Sequence, residues 1–495
     1  MKYNSTRASS VGVSAAQAIM QGISVDGGLF VPESLPEFTI EELAALAGKS
    51  YGEKAQIILS KFLTDFTGEE LAACIQNAYG GGKFDSDGVF ELSKVGESCY
   101  FLELWHGPTC AFKDMALQLL PQLLTASVKK VSPGQEVLVL VATSGDTGKA
   151  ALEGFKDVPG VKIAVFYPEN GVAEMQRLQM VTQEGGNLLT AAIQGNFDDA
   201  QSGVKQIFTD PSVKGKLAER GMVFSSANSI NWGRLAPQVV YYIACYVAMM
   251  EKGEILPGEE VNVAVPTGNF GNLLAAYYAK RMGVPFGTLI CASNRNNVLT
   301  DFIDTGIYDR NRDFYATNSP SMDILVSSNL ERLLYELSGR DDGAVRGWFA
   351  ALQEDGEYEV DEAVKEALAE GFWGGSCNDG ETLAAIGRLF REYGYLCDTH
   401  TAVAAKAYWD YLEATGDERK VIIVSTASPY KFSDSVLRAI SDTPVPDDPF
   451  EQAALLQRLA GVPAPPPLMS LKGKGIRFTE SVAKDKMADY VLSQF

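Results

Sequence analysis

Histidine is nearly absent from this chain, and basic residues are outnumbered. Among 495 residues there are two histidines, His106 and His400, and 42 lysines plus arginines against 63 aspartates plus glutamates, a formal net charge of −21. Two histidines leave too few ligands for a zinc site, even with seven cysteines present. Those cysteines, at 74, 99, 110, 245, 291, 377 and 397, form no C-x-x-C pair and read as reduced thiols rather than a disulfide framework. The negative balance excludes a general nucleic-acid binder, which needs a basic surface, but leaves room for an anionic small molecule held by a few local cations. Long apolar runs are missing too. The longest, 239–250, is too short for a bilayer and reads as a buried helix. Residues 1–21 lack the apolar core of a signal peptide and read as an ordinary N-terminus, ahead of a transit peptide. A soluble, cytoplasmic protein with neither nucleic acid nor membrane as partner is expected.

The chain exceeds what one hydrophobic core usually serves, so two or three domains are expected. Residues 40–47, 51–63 and 68–79 carry apolar side chains at helical spacing, which predicts a mainly helical N-terminal domain over 1–93. Beyond it, strand-like runs at 136–141, 161–167, 188–193, 222–225, 261–265, 288–292 and 420–424 alternate with helical patterns. Those patterns cover 113–128, 149–156, 175–184, 198–208, 233–252 and 272–282. Short continuous apolar strands alternating with helices predict an α/β fold with parallel sheets covered on both faces. Residues 94–215 are assigned to a smaller domain and 216–495 to a larger one. The stretch 297–392, helical and acidic, breaks the alternation and reads as an insertion with a solvated charged face.

In such folds ligands sit at the carboxyl ends of strands, in the turn before the next helix, and five segments there carry chemistry. Thr267-Gly268-Asn269-Phe270-Gly271-Asn272 follows a buried strand and opens a helix, a geometry that turns backbone N–H groups toward an anion such as phosphate. It also serves as a plain strand-to-helix turn. Ser144-Gly145-Asp146-Thr147-Gly148-Lys149 fails the spacing of a nucleotide P-loop, because Thr143 and Ala150 stand where Gly and Ser or Thr are needed. Its hydroxyls and amides suit a carboxylate, or simply cap a helix. Lys113, between Ala111-Phe112 and a helix start, has its ammonium disfavoured if partly desolvated, which suits Schiff-base chemistry. The bland alternative is a surface lysine paired with Asp114. His106, just upstream, reads as structural. Thr426, in Ser425-Thr426-Ala427-Ser428-Pro429, ends the last strand where a hydroxyl can face a ligand ring; the alternative is a strand end leading to a Pro turn. Asn231 and Arg234 lie near a helix start, where the guanidinium fork holds a second anion; the alternative is an Asn-capped helix with a solvated arginine.

The segments HGPTCAFKDMA, ATSGDTGKAA, VPTGNFGN and STASPYKF, in that order, together with DGGLFVP at 26–32 and NSINWGR at 228–234, resemble the threonine synthase family in its longer fungal and enteric-bacterial form. That resemblance implies fold-type II of the pyridoxal-phosphate enzymes, a tryptophan synthase β-like architecture with two parallel-sheet domains. It implies pyridoxal 5'-phosphate bound to Lys113, which also shuttles protons, with Gly268, Asn269, Phe270, Gly271 and Asn272 around the cofactor phosphate and Thr426 on the pyridine nitrogen. Ser144, Asp146 and Thr147 are then expected beside the substrate carboxylate, and Asn231 and Arg234 at the substrate phosphate. The family often has His where Ser428 stands. The reaction implied is conversion of O-phospho-L-homoserine and water to L-threonine and phosphate by a monomer or homodimer. The competing readings are a β-eliminating or β-replacing enzyme on a hydroxy or phosphorylated amino acid or amine, a nucleotide-binding protein, and an interaction module that has lost catalysis. An intact Lys113 counts against the last.

Overall fold

The computed structural model describes every residue except 9, 87, 170 and 196. Two sheets organise the chain. The larger has six strands in the order Phe372–Ser376, Phe286–Ser293, Val261–Pro266, Val421–Ser425, Cys99–Glu103, Glu91–Val95. All neighbours in it are parallel except the last pair. The smaller is parallel throughout, in the order Ser481–Ala483, Leu188–Gln194, Val161–Pro168, Glu136–Ala142, Met222–Ser226. The interior strand EVLVLVA is buried at every position after Glu136, because helices cover both faces and leave no polar side for alternation to mark.

The helix Trp232–Glu251 runs through the core, packed on the helices Tyr51–Phe62 and Gly271–Arg281. Its apolar run forms a buried helix, and among the described residues no helix is long and apolar enough to cross a membrane. The N-terminal region is helical over Ala15–Gln21, Ile40–Ala44, Tyr51–Phe62 and Gly68–Tyr79, the last two each opened by a capping box at Ser50 and Thr67. A short antiparallel pair, Tyr3–Ser5 with Phe30–Pro32, ties its first residues down.

Three expectations need correction. The helix expected over 113–128 is two helices, Asp114–Leu117 and Leu120–Val131; Pro121 has no N–H to extend a helix and sits in the first turn of the second. The stretch 297–392 is not a detachable insertion, because its strand Phe372–Ser376 pairs with Phe286–Ser293 at the edge of the larger sheet. Its acidic residues Asp341, Glu354, Asp355 and Glu357 are exposed, as their charge predicts. The expected cuts at 93/94 and 215/216 do not follow the sheets: both Glu91–Val95 and Cys99–Glu103 join the larger one, and Met222–Ser226 joins the smaller. Charged and small residues in Glu91–Glu103 hide that hairpin from an apolar pattern.

Candidate active site

The carboxyl ends of strands from both sheets open onto one cavity of about 400 Å³. Lys113, Ser144, Asp146, Thr147, Arg234, Gly268 to Asn272 and Thr426 all line it. Residues separated by more than 300 positions in sequence are thus brought together by the strand order.

Lys113 is placed by its neighbours. The Phe112 N–H donates to the Thr426 carbonyl at 2.8 Å, and Ala111 bridges to Ala427, so the segment is stitched to the end of the last strand. Asp114 does not pair with Lys113. Its buried carboxylate instead accepts from the Thr109 N–H at 2.8 Å and the Thr109 hydroxyl at 2.7 Å. The surface-pair reading of Lys113 therefore fails. The Lys113 amine lies 4.7 Å over the Phe112 ring. Removal from bulk water lowers its pKa to about 8; Asp146 opposes that shift, while Arg234 and Lys431 add to it. His106, held between Asp85 and Glu103 and stacked on Trp105, is structural.

Across the cavity the strand Val261–Pro266 turns into the helix Gly271–Arg281, with Phe270 in the left-handed region at φ 60°. Two carbonyls of the turn are held by residues that do not line the cavity. Ser327 Oγ donates to Gly268 O at 2.8 Å, and Asn329 Nδ2 to Asn269 O at 3.0 Å. The first N–H groups of the helix have no intrahelical acceptor. Asn272 Oδ1 takes both Tyr241 and Tyr242 hydroxyls at 2.6 Å, which leaves its buried Nδ2 without a partner among the described residues. Orphaned donors around a helix start are the chemistry a phosphate satisfies, so the residues present fit the phosphate of pyridoxal 5'-phosphate.

The second turn is braced by Thr143 Oγ1, which accepts from Gly145 N at 3.0 Å and Gly148 N at 2.8 Å. Ser144 and Thr147 remain partly open to the cavity. Asp146 is not available to a carboxylate ligand. Its Oδ1 is 2.7 Å from Lys431 Nζ and accepts from Gln176 Nε2 at 2.8 Å. Burial alone would raise its pKa, but Lys431 and Lys113 outweigh it and hold the carboxyl well below the usual range. An ionised Asp146 repels a substrate carboxylate, so its place here is as counter-ion. Lys149, the residue that mimics a P-loop, is spent on Glu153 at 2.9 Å and on Gln183.

Arg234 reaches the cavity. One of its Nη atoms donates to Ala227 O, and its buried Nε has no partner among the described residues. Burial brings its pKa down to about 10. Asn231, expected beside it, is a correction. Its Nδ2 donates to Ile19 O at 3.0 Å and Ser226 O at 2.9 Å, and its Oδ1 accepts from Gly233 N at 2.9 Å. Both N–H groups and one lone pair of the oxygen of that fully buried amide are used, so it serves as the cap of the helix.

One cavity residue, His400, and one residue behind the lining, Lys431, escape the sequence reading. His400 lies in the first turn of the helix Thr399–Thr415; its Nδ1 is 2.7 Å from Asp398 Oδ2 and its Nε2 accepts from Ser321 N at 3.2 Å. That pairing selects the neutral tautomer protonated on Nδ1. Asp398-Thr399-His400 stands in the sequence at close spacing, but only the fold brings it to the cavity. Lys431, in the STASPYKF segment, reaches Asp146 only through the fold. Ser428 caps the short helix Pro429–Phe432 through Tyr430 N.

Comparison with known proteins accounts for nearly the whole chain. Residues 2–79 match the family model described as threonine synthase N terminus, 89–427 that of pyridoxal-phosphate dependent enzymes, and 401–467 that of threonine synthase, C-terminal. The chain is 38% identical over 440 residues to threonine synthase of Pseudomonas aeruginosa, covering 89% of this chain and 90% of that one. It is 40% identical over 458 residues, 90% of its length, to the Homo sapiens protein named threonine synthase-like 1, of which it spans 61%. The crystal structure of PLP-bound threonine synthase from Brucella melitensis superposes with a TM-score of 0.88 over 100% of this chain and 99% of that one, at 35% identity. Matches of that extent, on a fold whose strand ends converge on Lys113, leave one conclusion: the chain belongs to the threonine synthase family of pyridoxal-phosphate-dependent enzymes.

Proposed function

We propose that this chain converts O-phospho-L-homoserine and water to L-threonine and inorganic phosphate. The observation that carries the reading is that the Lys113 amine and the 268–272 turn open onto the same cavity. Lys113 would hold the cofactor aldehyde, the amides of Gly268 to Asn272 its phosphate, and Thr426 its ring nitrogen. When bound, the cofactor supplies an electron sink for negative charge at the substrate's α-carbon.

The protein's own groups do the rest. With a pKa near 8, a substantial fraction of Lys113 is neutral at physiological pH, and the amine takes and returns protons. The hydroxyls of Ser144 and Thr147 orient the substrate carboxylate. Arg234, aimed at the cavity with an unpartnered Nε, stabilises charge on the departing phosphate. The Asp146–Lys431 pair fixes the potential around Lys113 without consuming its proton. Seven free cysteines support a cytoplasmic setting.

The test is direct. The purified, cofactor-loaded protein should absorb well beyond the aromatic band, and borohydride reduction followed by peptide mapping should fix the label on Lys113. Phosphate release should be fast from O-phospho-L-homoserine and slow from O-phospho-L-serine. A label on another lysine refutes the site, and preference for O-phospho-L-serine points to a β-eliminating enzyme instead.

A further inference from the structure

Asn329 precedes the helix Leu330–Leu337, in the stretch that the sequence marks as an insertion, yet its side chain makes no capping bond to that helix. An Asn at such a position ordinarily caps the helix through its side-chain oxygen. Here the amide points elsewhere. Nδ2 donates to Asn269 O at 3.0 Å and to Ser229 Oγ at 3.0 Å, while Oδ1 accepts from Arg332 Nη1 at 2.6 Å. Arg332 is fully buried and anchored by Phe30 O at 3.0 Å and Ile230 O at 2.6 Å. A guanidinium only donates, so the acceptor end of Asn329 must face it and the donor end must face the turn. The orientation of one amide is thus dictated by a buried charge.

We propose that Asn329 is a positioning residue for the cofactor-phosphate cup, aided by Ser327. In a planar trans peptide the carbonyl of one residue and the N–H of the next point in opposite directions. Drawing Gly268 O toward Ser327 and Asn269 O toward Asn329 therefore turns the N–H groups of Asn269 and Phe270 the other way, toward the cavity. Asn329 acts from behind the turn and touches no ligand. The proposal rests on the reading of 268–272 as a phosphate cup and adds what aims it.

Asn329→Asp separates the two roles of the side chain. The carboxylate keeps the acceptor for Arg332, which holds it ionised, and replaces the donor with an oxygen facing Asn269 O. The full-length protein, freed of cofactor, is titrated with pyridoxal 5'-phosphate and, separately, with pyridoxal, which has the aldehyde but no phosphate; absorbance of the lysine-bound aldehyde is the readout. Affinity for pyridoxal 5'-phosphate should fall about tenfold in the variant, the effect of setting a carboxylate oxygen against the Asn269 carbonyl, which keeps only the Asn329 backbone N–H at 3.2 Å, with affinity for pyridoxal changed less than about twofold. Ser327→Ala, which leaves Arg332 untouched, should lower affinity in the same selective manner. Parallel loss for both compounds, or no loss for either, overturns the proposal. Failure of the wild-type protein to prefer the phosphorylated compound overturns the cup itself, a separate result.

Discussion

Lys431 Nζ stands 2.7 Å from Asp146 Oδ1, both side chains closed off from solvent, and the pair borders the Lys113 amine. A buried carboxylate beside a buried ammonium is stable only while both are present. Lys431→Met removes the cation and strands Asp146, which should cost about 3–5 kcal/mol in urea unfolding. The Asp146 carboxyl is depressed in the folded chain, so its contribution is present above the unfolded carboxylate range and lost as acid protonates it. Wild-type protein should therefore lose stability on acidification more steeply than Lys431→Met. Equal unfolding midpoints at neutral pH would show that the pair contributes nothing.

Lys113 gives a signature of the same sign in an alkaline window. Its folded pKa, about 8, lies below the unfolded value of about 10.4. Between those limits the unfolded chain holds a proton that the native amine has lost, so unfolding free energy rises with pH across that window. Lys113→Met should remove this slope in the cofactor-free protein. Reaction of the free amine with pyridoxal should climb about tenfold per pH unit below 8 and level off above it, since only the neutral amine attacks. A rate still climbing about tenfold per pH unit up to pH 10 would show an ordinary, solvated lysine instead.

What was legible in the sequence lay where chemistry is local. The 268–272 turn and the 143–149 turn each join a buried strand to a helix within a few residues, so their glycines and hydroxyls announce them. Asn231 was misplaced because a capping amide and a ligand-binding amide look alike until Ile19 and Ser226 are seen to occupy it. Asp146 reads in the sequence as open to a ligand because Lys431, 285 positions away, reaches it only through the fold. The strand Phe372–Ser376 stayed hidden because Gly374 and Gly375 give no apolar pattern; they are glycines because Thr300, Trp373 and Ala407 leave no room for a side chain.

Arg234 and Asn231 share a helix start but should answer differently. Arg234→Ala should lower kcat for O-phospho-L-homoserine by about a hundredfold or more, as loss of a preorganised donor to developing charge does, with the folded protein otherwise intact. Asn231→Ala removes a cap and two buried donors, and should appear chiefly as lost stability of about 1–2 kcal/mol, with KM little changed. Steady-state kinetics and thermal melts on both variants decide the assignment. The reverse pattern would return Asn231 to the substrate site.

Two glycines of the same turn provide the sharpest contrast. A Cβ on Gly268 would stand 2.6 Å from the Ser321 carbonyl oxygen, whereas on Gly271 it would meet only ordinary contacts at 3.4 Å. The obstacle at Gly268 is backbone, and Ser321 is tethered through its N–H to His400 Nε2 at 3.2 Å, so it cannot swing aside as a side chain would. Gly268→Ala must therefore displace the turn itself. The strain is about 1–3 kcal/mol, and because the displaced amides are those facing the cavity it should be read as weaker cofactor binding, about tenfold to a hundredfold. Gly271→Ala, at a helix start with space available, should bind pyridoxal 5'-phosphate within about threefold of wild type. Relaxing the tether by His400→Ala should restore part of the affinity lost in Gly268→Ala, since Ser321 then gains freedom to retreat. Equal effects of the two alanines would mean that helix propensity, not the approach of Ser321, governs the turn.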